Sequence, residues 1–203
     1  DNAPSVADAK KIIYNEIKGI DATKPLLLWM PTFIKIYGEI IDNIEVWIPT
    51  VEKLLNKDNV LISVHTKLAV VKPLIVSRLL ELGFLVDAKK GRNLGILYQS
   101  SDLVLADYGG PVLSTIYMKK KLILLNSDSK KYSEWREKRM YLDDDVRNDV
   151  DSFSIYDDMT FIEQVDRNIQ DNSSSKRNRL REKYFGEDCN YEDLRDMFHK
   201  LAK

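Results

Sequence analysis

Short apolar runs alternate with segments of helical periodicity along the first 126 residues of the chain. Runs of three to five mainly apolar residues are too short for buried helices and predict strands that are covered on both faces. They lie at 26–29, 60–64, 84–86, 103–106 and 122–125. Five such strands alternating with helices predict an α/β domain with an open, doubly wound, mostly parallel sheet.

The segments between these runs repeat their apolar residues every three or four positions, which predicts amphipathic helices. Two predicted apolar faces are Val6, Ala9, Ile13 and Ile17, in a helix that Gly19 ends, and Val71, Leu74, Ile75, Leu79 and Leu82. Further helices are predicted over residues 44–56, where Pro49 opens or kinks the helix, over 93–100, and from Pro111 to about Met118. Beyond residue 126 the predicted faces are Met159, Ile162, Val165 and Ile169, then Leu194, Met197, Phe198 and Leu201.

This organisation predicts a single α/β domain over residues 1–203. Its sheet core spans 20–126, and 127–203 is a mainly helical, charged tail. The loop at 171–175 is followed by about thirty residues, which are too few for a second core. Because the chain begins at Asp1 without a methionine, we expect it to be a fragment of a longer protein.

Overall charge and cysteine content exclude several classes of function. The 31 basic and 32 acidic residues nearly cancel, so no global basic field indicates a nucleic-acid partner. The single cysteine, Cys189, cannot form an internal disulfide, and with two histidines it cannot build a conventional structural zinc site. We therefore expect a cytoplasmic protein without a metal or other cofactor, and apolar runs such as 26–30 are too short to span a membrane.

Charge is nevertheless strongly patterned in the second half of the chain. Residues 119–139 carry eight basic and three acidic side chains, whereas 143–171 carry ten acidic and two basic ones. A solvated surface is the favoured interpretation of both blocks. The alternative for the basic block is contact with an anionic acceptor or with lipid headgroups.

Three loops follow predicted strands and are candidates for a binding site, because ligands of open parallel sheets bind at the carboxyl ends of the strands. They are 30–37, 65–67 and 107–111. In the last loop Gly109 and Gly110 precede a helix, where exposed backbone N–H groups favour a phosphate. A plain turn is the more common reason for two glycines at such a position. Ser114 and Thr115 add hydroxyls one turn later, or point toward a neighbouring helix.

His65 follows a predicted buried strand, with Lys67 two residues later. An imidazole and an ammonium group at this position could meet a phosphate, although a histidine satisfied by a backbone carbonyl is the more common arrangement. The chain has no Walker lysine and no dinucleotide fingerprint, because Gly91 and Gly95 have the wrong spacing. Neither Cys189 nor His199 has the sequence surroundings of a catalytic residue.

The order of several strand-end motifs resembles the carboxyl-terminal half of CDP-glycerol glycerophosphotransferases, the teichoic-acid polymerase and primase type of GT-B transferase. The motifs are Pro31-Thr32-Phe33, His65, the segment 101–110, the strand 121–125, and Asp128, Tyr132, Arg139 and Tyr141. The resemblance covers roughly residues 25–145. It depends on the order and spacing of the motifs, since none of them is specific by itself.

The resemblance implies a Rossmann-like donor-binding lobe of a transferase in teichoic-acid or capsule synthesis. The implied partners are CDP-glycerol or another nucleotide-diphosphate donor, a missing amino-terminal lobe and a polyol-phosphate or lipid-linked acceptor, with peripheral contact at the inner face of the plasma membrane. His65 would be the catalytic residue, and the isolated lobe would be inactive. The expected donor-binding residues are Thr32, Lys67, Asp107, Gly109, Gly110, Ser114, Thr115, Asp128 and Arg139.

Three departures from the family pattern keep alternatives open. Thr66 replaces a proline, Gly109-Gly110 replaces two serines, and Ser114 occupies a position where related transferases have a carboxylate. One alternative is a noncatalytic α/β module with an interaction or regulatory role. Another is half of a UDP-sugar glycosyltransferase or 2-epimerase, because a Gly-Gly turn also occurs in those proteins.

Overall fold

A computed structural model describes residues 4–36, 39–42, 44–126, 145–153 and 158–186. The strands are β1 (Leu26–Met30), β2 (Phe33–Ile36), β3 (Glu39–Asp42), β4 (Asn59–Ser63), β5 (Leu85–Asp87), β6 (Leu103–Ala106), β7 (Leu122–Leu125) and β8 (Ser152–Phe153). The helices are α1 (Val6–Glu16), α2 (Ile44–Val51), α3 (Thr66–Val71), α4 (Ile75–Glu81), α5 (Leu94–Ser100), α6 (Gly110–Tyr117), α7 (Asp158–Gln170) and α8 (Ser175–Phe185), with a 3₁₀-helix at Glu52–Asn56.

Six parallel strands form the main sheet in the order β5-β4-β1-β6-β7-β8. The chain starts at the central strand β1, builds outward to β5, and then returns to the other side of β1 to build β6, β7 and β8. This is the doubly wound order of a Rossmann-like domain, and the strand order reverses between β1 and β6. The predicted fold class is confirmed.

Both faces of the sheet are covered by helices, which explains why its strands are continuous apolar runs. Along β1, Leu27 and Trp29 face one hydrophobic core, to which α2, α4 and α7 also contribute. Leu26, Leu28 and Met30 face a second core that includes residues of α1, α5 and α6. All five residues of β1 are buried.

The segment beyond residue 126 adds a sixth strand that the sequence pattern does not reveal. Strand β8 has two residues and pairs with β7, joining Leu125 to Phe153, so it is too short to show a period. Helix α7 presents Phe161 and Val165 to the core, whereas Met159 is 73% exposed. The predicted apolar face of this helix was therefore wrong at Met159 and missed Phe161. The second predicted face, at 194–201, lies outside the described residues.

Two further differences concern segments near the carboxyl ends of strands. The loop expected after β1 contains an antiparallel hairpin of β2 and β3. The helix expected through Val71 and Leu74 is two helices. Lys72 leaves the helical region (φ −124°, ψ 70°) because the following Pro73 disfavours helical backbone at the residue before it. Pro49 lies inside α2, and the chain continues into the 3₁₀-helix after Val51.

The helices of the described segments are all too short or too polar to cross a membrane.

Candidate functional site

The loops that follow β4, β1 and β6 lie side by side at one edge of the sheet, because these three strands are neighbours and parallel. This edge includes the position where the strand order reverses, which is where open α/β sheets bind ligands. The tertiary structure therefore brings the three candidate loops of the sequence together.

Asp107 joins the loop after β6 to the loop after β1. The Thr32 amide donates to both carboxylate oxygens of Asp107, at 2.9 and 3.0 Å, and the Tyr108 amide donates to Oδ1 at 2.8 Å. The Thr32 hydroxyl in turn donates to the Tyr108 carbonyl at 2.8 Å. Burial raises the pKa of Asp107, and the hydrogen bonds from Thr32 and Tyr108 oppose that rise. The side chains of Thr32 and Asp107 thus hold the two loops in a fixed relation.

His65 caps the amino end of α3 and stacks on an aromatic ring. Its Nδ1 accepts a hydrogen bond from the Lys67 amide at 3.2 Å, and its ring lies 5.5 Å from that of Phe33 with 16° between the planes. Partial burial lowers the pKa of His65, and the Lys67 charge lowers it further. Since Nδ1 accepts, the neutral ring carries its proton on Nε2, which is a donor for a ligand.

Gly109 and Gly110 leave the backbone at the start of α6 without side chains that would cover it. Gly109 has a φ of +72°, a conformation that favours glycine. A Cβ added at either glycine would meet nothing within 4 Å, so a ligand can approach the backbone here. The first turn of α6, with Pro111 in it, presents N–H groups that suit an anion.

The other predicted residues divide into three groups. Thr115 is buried and donates its hydroxyl to the Pro111 carbonyl at 2.6 Å, while Ser114 forms a hydrogen bond with Tyr98. Lys67 lies exposed in the first turn of α3. Asp128 and Arg139 lie outside the described residues.

Arg147 is a residue of this edge that the sequence pattern did not indicate. It donates from Nη2 to the Asp107 carbonyl and from Nε to Asn126 Oδ1, the latter at 3.0 Å. Its guanidinium carbon lies 3.9 Å from the centre of the Tyr108 ring, a cation–π contact. Arg147 lies 40 residues after Asp107, within the acidic block at 143–171. Only the folded chain therefore shows that it places a positive charge beside the loop after β6.

A cavity of about 360 Å³ lies at the carboxyl ends of β4 and β5 and is lined in part by Thr66. Its walls combine apolar side chains with cations: Val64, Val76, Val86, Lys89, Lys90 and Arg92. The loop that forms one wall is held by a buried ion pair, in which Arg92 Nη2 lies 2.7 Å from Asp87 Oδ1. Arg92 also pairs with Glu16 of α1. The volume lies within the range of small-molecule sites.

The described segments contain no group of three or more His, Cys, Asp or Glu residues arranged to hold a metal ion.

Comparison with known proteins shows that solved structures share a similar fold with this chain. No protein-family model matches the sequence. Its sequence also matches no curated protein. One structure of the wall teichoic acid polymerase TagF matches with a TM-score of 0.58 at 12% identity. A histidine-to-alanine variant of TagF matches with a TM-score of 0.62 at 14% identity. A histidine-to-asparagine variant soaked with CDPG matches at 0.61 and 15% identity.

These matches cover 97 to 98% of this chain but 46 to 48% of the TagF chains, so this chain spans slightly less than half of their length. At such low identity the likeness concerns the fold. The parallel sheet and its strand order show that this chain has a Rossmann-like α/β fold, and that fold is similar to the fold of TagF.

Proposed function

We propose that this chain is the donor-binding lobe of a GT-B transferase that moves glycerol phosphate, or a related polyol phosphate or sugar, from a CDP-glycerol-like donor to a surface-polymer acceptor. The observation that carries the proposal is the meeting of His65, the Thr32 loop and the Gly109-Gly110 turn at the reversal of strand order. The likeness to TagF and the order of the sequence motifs support it. The acceptor, the amino-terminal lobe and a cytoplasmic location with peripheral membrane contact belong to the same proposal.

The proposed roles follow from the geometry of the described residues. The donor's diphosphate lies between His65 Nε2–H and the N–H groups at the start of α6, which together stabilise negative charge. In the transfer an acceptor hydroxyl oxygen bonds to the phosphorus that carries glycerol and gives its proton to solvent, while the diphosphate P–O bond breaks and CMP leaves. Negative charge therefore develops on the oxygens that these donors face. Arg147 adds positive charge nearby, and Thr32 and Asp107 keep the loops in position.

The other parts of the donor are assigned by size and location. The cavity beside β4 and β5 is large enough for a nucleoside, and its lysines favour an anionic ligand. Lys67 approaches the donor from the first turn of α3. Ser114 and Thr115 support the start of α6 from within the protein. Asp128 and Arg139 remain predictions from the sequence resemblance.

Calorimetric titration with CDP-glycerol, CMP, UDP-GlcNAc and UDP tests the proposal. We expect CDP-glycerol and CMP to bind at concentrations suited to millimolar affinity. Preference for UDP-GlcNAc would indicate the UDP-sugar alternative, and the absence of heat with all four compounds would favour the noncatalytic module.

Two substitutions at His65 separate binding from capping. His65→Ala removes both the ring and the cap, whereas His65→Asn keeps a side-chain acceptor at the N-cap, where asparagine is favoured. If the ring contacts the donor, both variants lose about tenfold or more in affinity, as expected for a hydrogen bond to a charged group. Retained affinity in His65→Asn with unchanged melting temperature would show that His65 acts only as a cap.

A further inference from the structure

A cluster of cations surrounds a small pocket at the opposite edge of the sheet from the candidate donor site. Lys119, Lys120 and Lys121 connect the end of α6 to the start of β7, and α8 adds Lys176 and Arg177. We call the space that these five residues line the cationic pocket. Because the lysines precede β7, the pocket lies at the amino end of a parallel strand, whereas donors of this fold bind at the carboxyl ends.

Two carboxylates, Asp151 and Asp171, also line the cationic pocket and offset only part of its five positive charges. Asp151 accepts hydrogen bonds from the amides of Gln164 and Asn168, at 2.8 and 3.0 Å. Asp171 accepts one from the Ser173 amide at 2.7 Å. These neutral donors orient the two carboxylates but leave their charges unchanged. Because five cations face two carboxylates, the pocket keeps an excess of positive charge.

Lys120 and Lys121 are held in place by the fold. The Lys120 ammonium donates to the Gln99 carbonyl at 3.2 Å, and the Lys121 ammonium donates to the Ile169 carbonyl at 2.7 Å. An ammonium group has three N–H donors. Because the carbonyl accepts from one of them, the remaining N–H groups of each lysine can donate to an anion. Both side chains are pre-positioned, which lowers the entropic cost of binding.

The positive charges of the cationic pocket repel one another. Burial, together with the positive charges of Lys10, Lys121 and Arg177, lowers the pKa of Lys120 to about 8, although Asp102 opposes the shift. Burial and the charge of Arg177 likewise lower the pKa of Lys121, against the opposing charges of Asp171 and Asp102. A bound anion would relieve this repulsion, so the folded protein gains stability when the pocket is occupied.

The start of α8 adds a partial positive charge. Ser174 is the N-cap residue, and its side chain makes no capping hydrogen bond to the described residues. The first-turn N–H groups of Ser175–Phe185 therefore favour a negative ligand near Lys176 and Arg177. Apolar side chains complete the pocket, including Ile116, Leu122 and Leu180. They reduce the local polarity and strengthen the attraction.

We propose that the cationic pocket binds a phosphoryl group or a similarly compact oxyanion. Its volume is about 30 Å³. One water-sized group occupies roughly 10–15 Å³ on this measure, so the pocket admits the oxygens of a phosphoryl group but excludes a nucleoside. The source of the group is either free phosphate or the headgroup of an anionic phospholipid, and the experiment below distinguishes the two.

The test compares two arginines of the same helix. Arg177→Gln removes a charge from the pocket, and Arg179→Gln is the matched control, because Arg179 is exposed and does not line the pocket. Affinity for inorganic phosphate is measured by calorimetry and by thermal unfolding, with potassium chloride replacing phosphate at constant ionic strength so that screening is equal. Lys176→Gln is a second variant of the pocket.

We expect millimolar binding of phosphate, weakened about tenfold by Arg177→Gln and unchanged by Arg179→Gln. Vesicles of phosphatidylcholine with and without phosphatidylglycerol form the second arm. Sedimentation that requires phosphatidylglycerol and is reduced only in the pocket variants identifies a lipid headgroup, and phosphate binding without sedimentation identifies the free ion. The proposal is overturned if neither ligand binds, or if Arg177→Gln and Arg179→Gln have equal effects. CDP-glycerol binding is expected to be the same in both variants, so this result is independent of the proposed transferase function.

Discussion

Asp58 provides a sharp test of the electrostatics of the fold. It directly precedes β4, is 4% exposed, and has one carboxylate oxygen, Oδ2, without a hydrogen-bond partner among the described residues. Burial, together with the charge of Asp166, raises the pKa of Asp58 to about 6, although Lys57 and Lys24 oppose the rise. At neutral pH the protein therefore carries a buried carboxylate that is poorly compensated.

The magnitude follows from proton linkage. A pKa raised from 3.8 to about 6, at about 1.4 kcal/mol per pH unit, corresponds to about 3 kcal/mol. The folded state binds more protons than the unfolded state between these two pKa values, so this group makes the protein less stable as pH rises from 4 to 6. Below pH 4 the effect disappears, and above pH 6 it is complete.

We expect Asp58→Asn to remove this pH dependence. The free energies of unfolding of the variant and the unsubstituted protein are measured by urea denaturation between pH 4 and 7.5, and the difference is compared across that range. A buried amide donor without a partner costs about 1–3 kcal/mol at every pH, so a cost of this kind cancels in the comparison. Relative to the unsubstituted protein, the free energy of unfolding of the variant should rise by about 3 kcal/mol between pH 4 and pH 7, which corresponds to roughly 6–12 °C in Tm.

Glu163→Gln is the control, because the Glu163 side chain of α7 is exposed, and we expect it to change the free energy of unfolding by less than about 0.5 kcal/mol. A difference between Asp58→Asn and the unsubstituted protein that stays constant from pH 4 to 7.5 would refute the reasoning, because it would show that Asp58 titrates normally in the folded state.

Two further substitutions test the loops of the candidate site. Gly109→Ala should lower the free energy of unfolding by about 1–3 kcal/mol, because φ +72° and ψ −142° form a backbone conformation that residues other than glycine rarely adopt. Gly110→Ala, with equally open surroundings and no positive φ, should cost less, and equal melting temperatures for both variants would contradict this. Arg92→Gln should cost about 3–5 kcal/mol in urea denaturation, since it leaves Asp87 buried without its cation. Lys89→Gln, in the same loop but exposed, is the control, and a similar loss in both variants would argue against a buried pair.

Much of the fold could be predicted because burial on both faces of a sheet leaves a direct trace in the sequence. The runs at 26–29, 103–106 and 122–125 all became strands, since a strand covered by helices on both sides must be apolar throughout. The start of α6 could be predicted for a similar local reason, as Gly109 provides the backbone conformation and Pro111 suits a first turn.

Elements whose stability depends on distant partners were less predictable. Strand β8 exists because β7 offers it an open edge, and two residues carry no periodicity. The apolar face of α7 was misassigned at Met159, since periodicity alone does not show which of two similar stripes meets the core. The site shows the same limit: the three loops were recognised singly, but Arg147 reaches them only through the tertiary fold.

The sequence by itself therefore determined the class of fold and the loops where chemistry is expected, because local backbone geometry and double-sided burial restrict residue type at each position. Only the tertiary structure decided which loops are neighbours, since strand order depends on contacts between residues far apart in the chain. It decided likewise that Asp107 faces the Thr32 amide and that Arg177 joins the lysines before β7. Charges placed in separate blocks of the sequence acquire a common function only when the sheet and its helices bring them together.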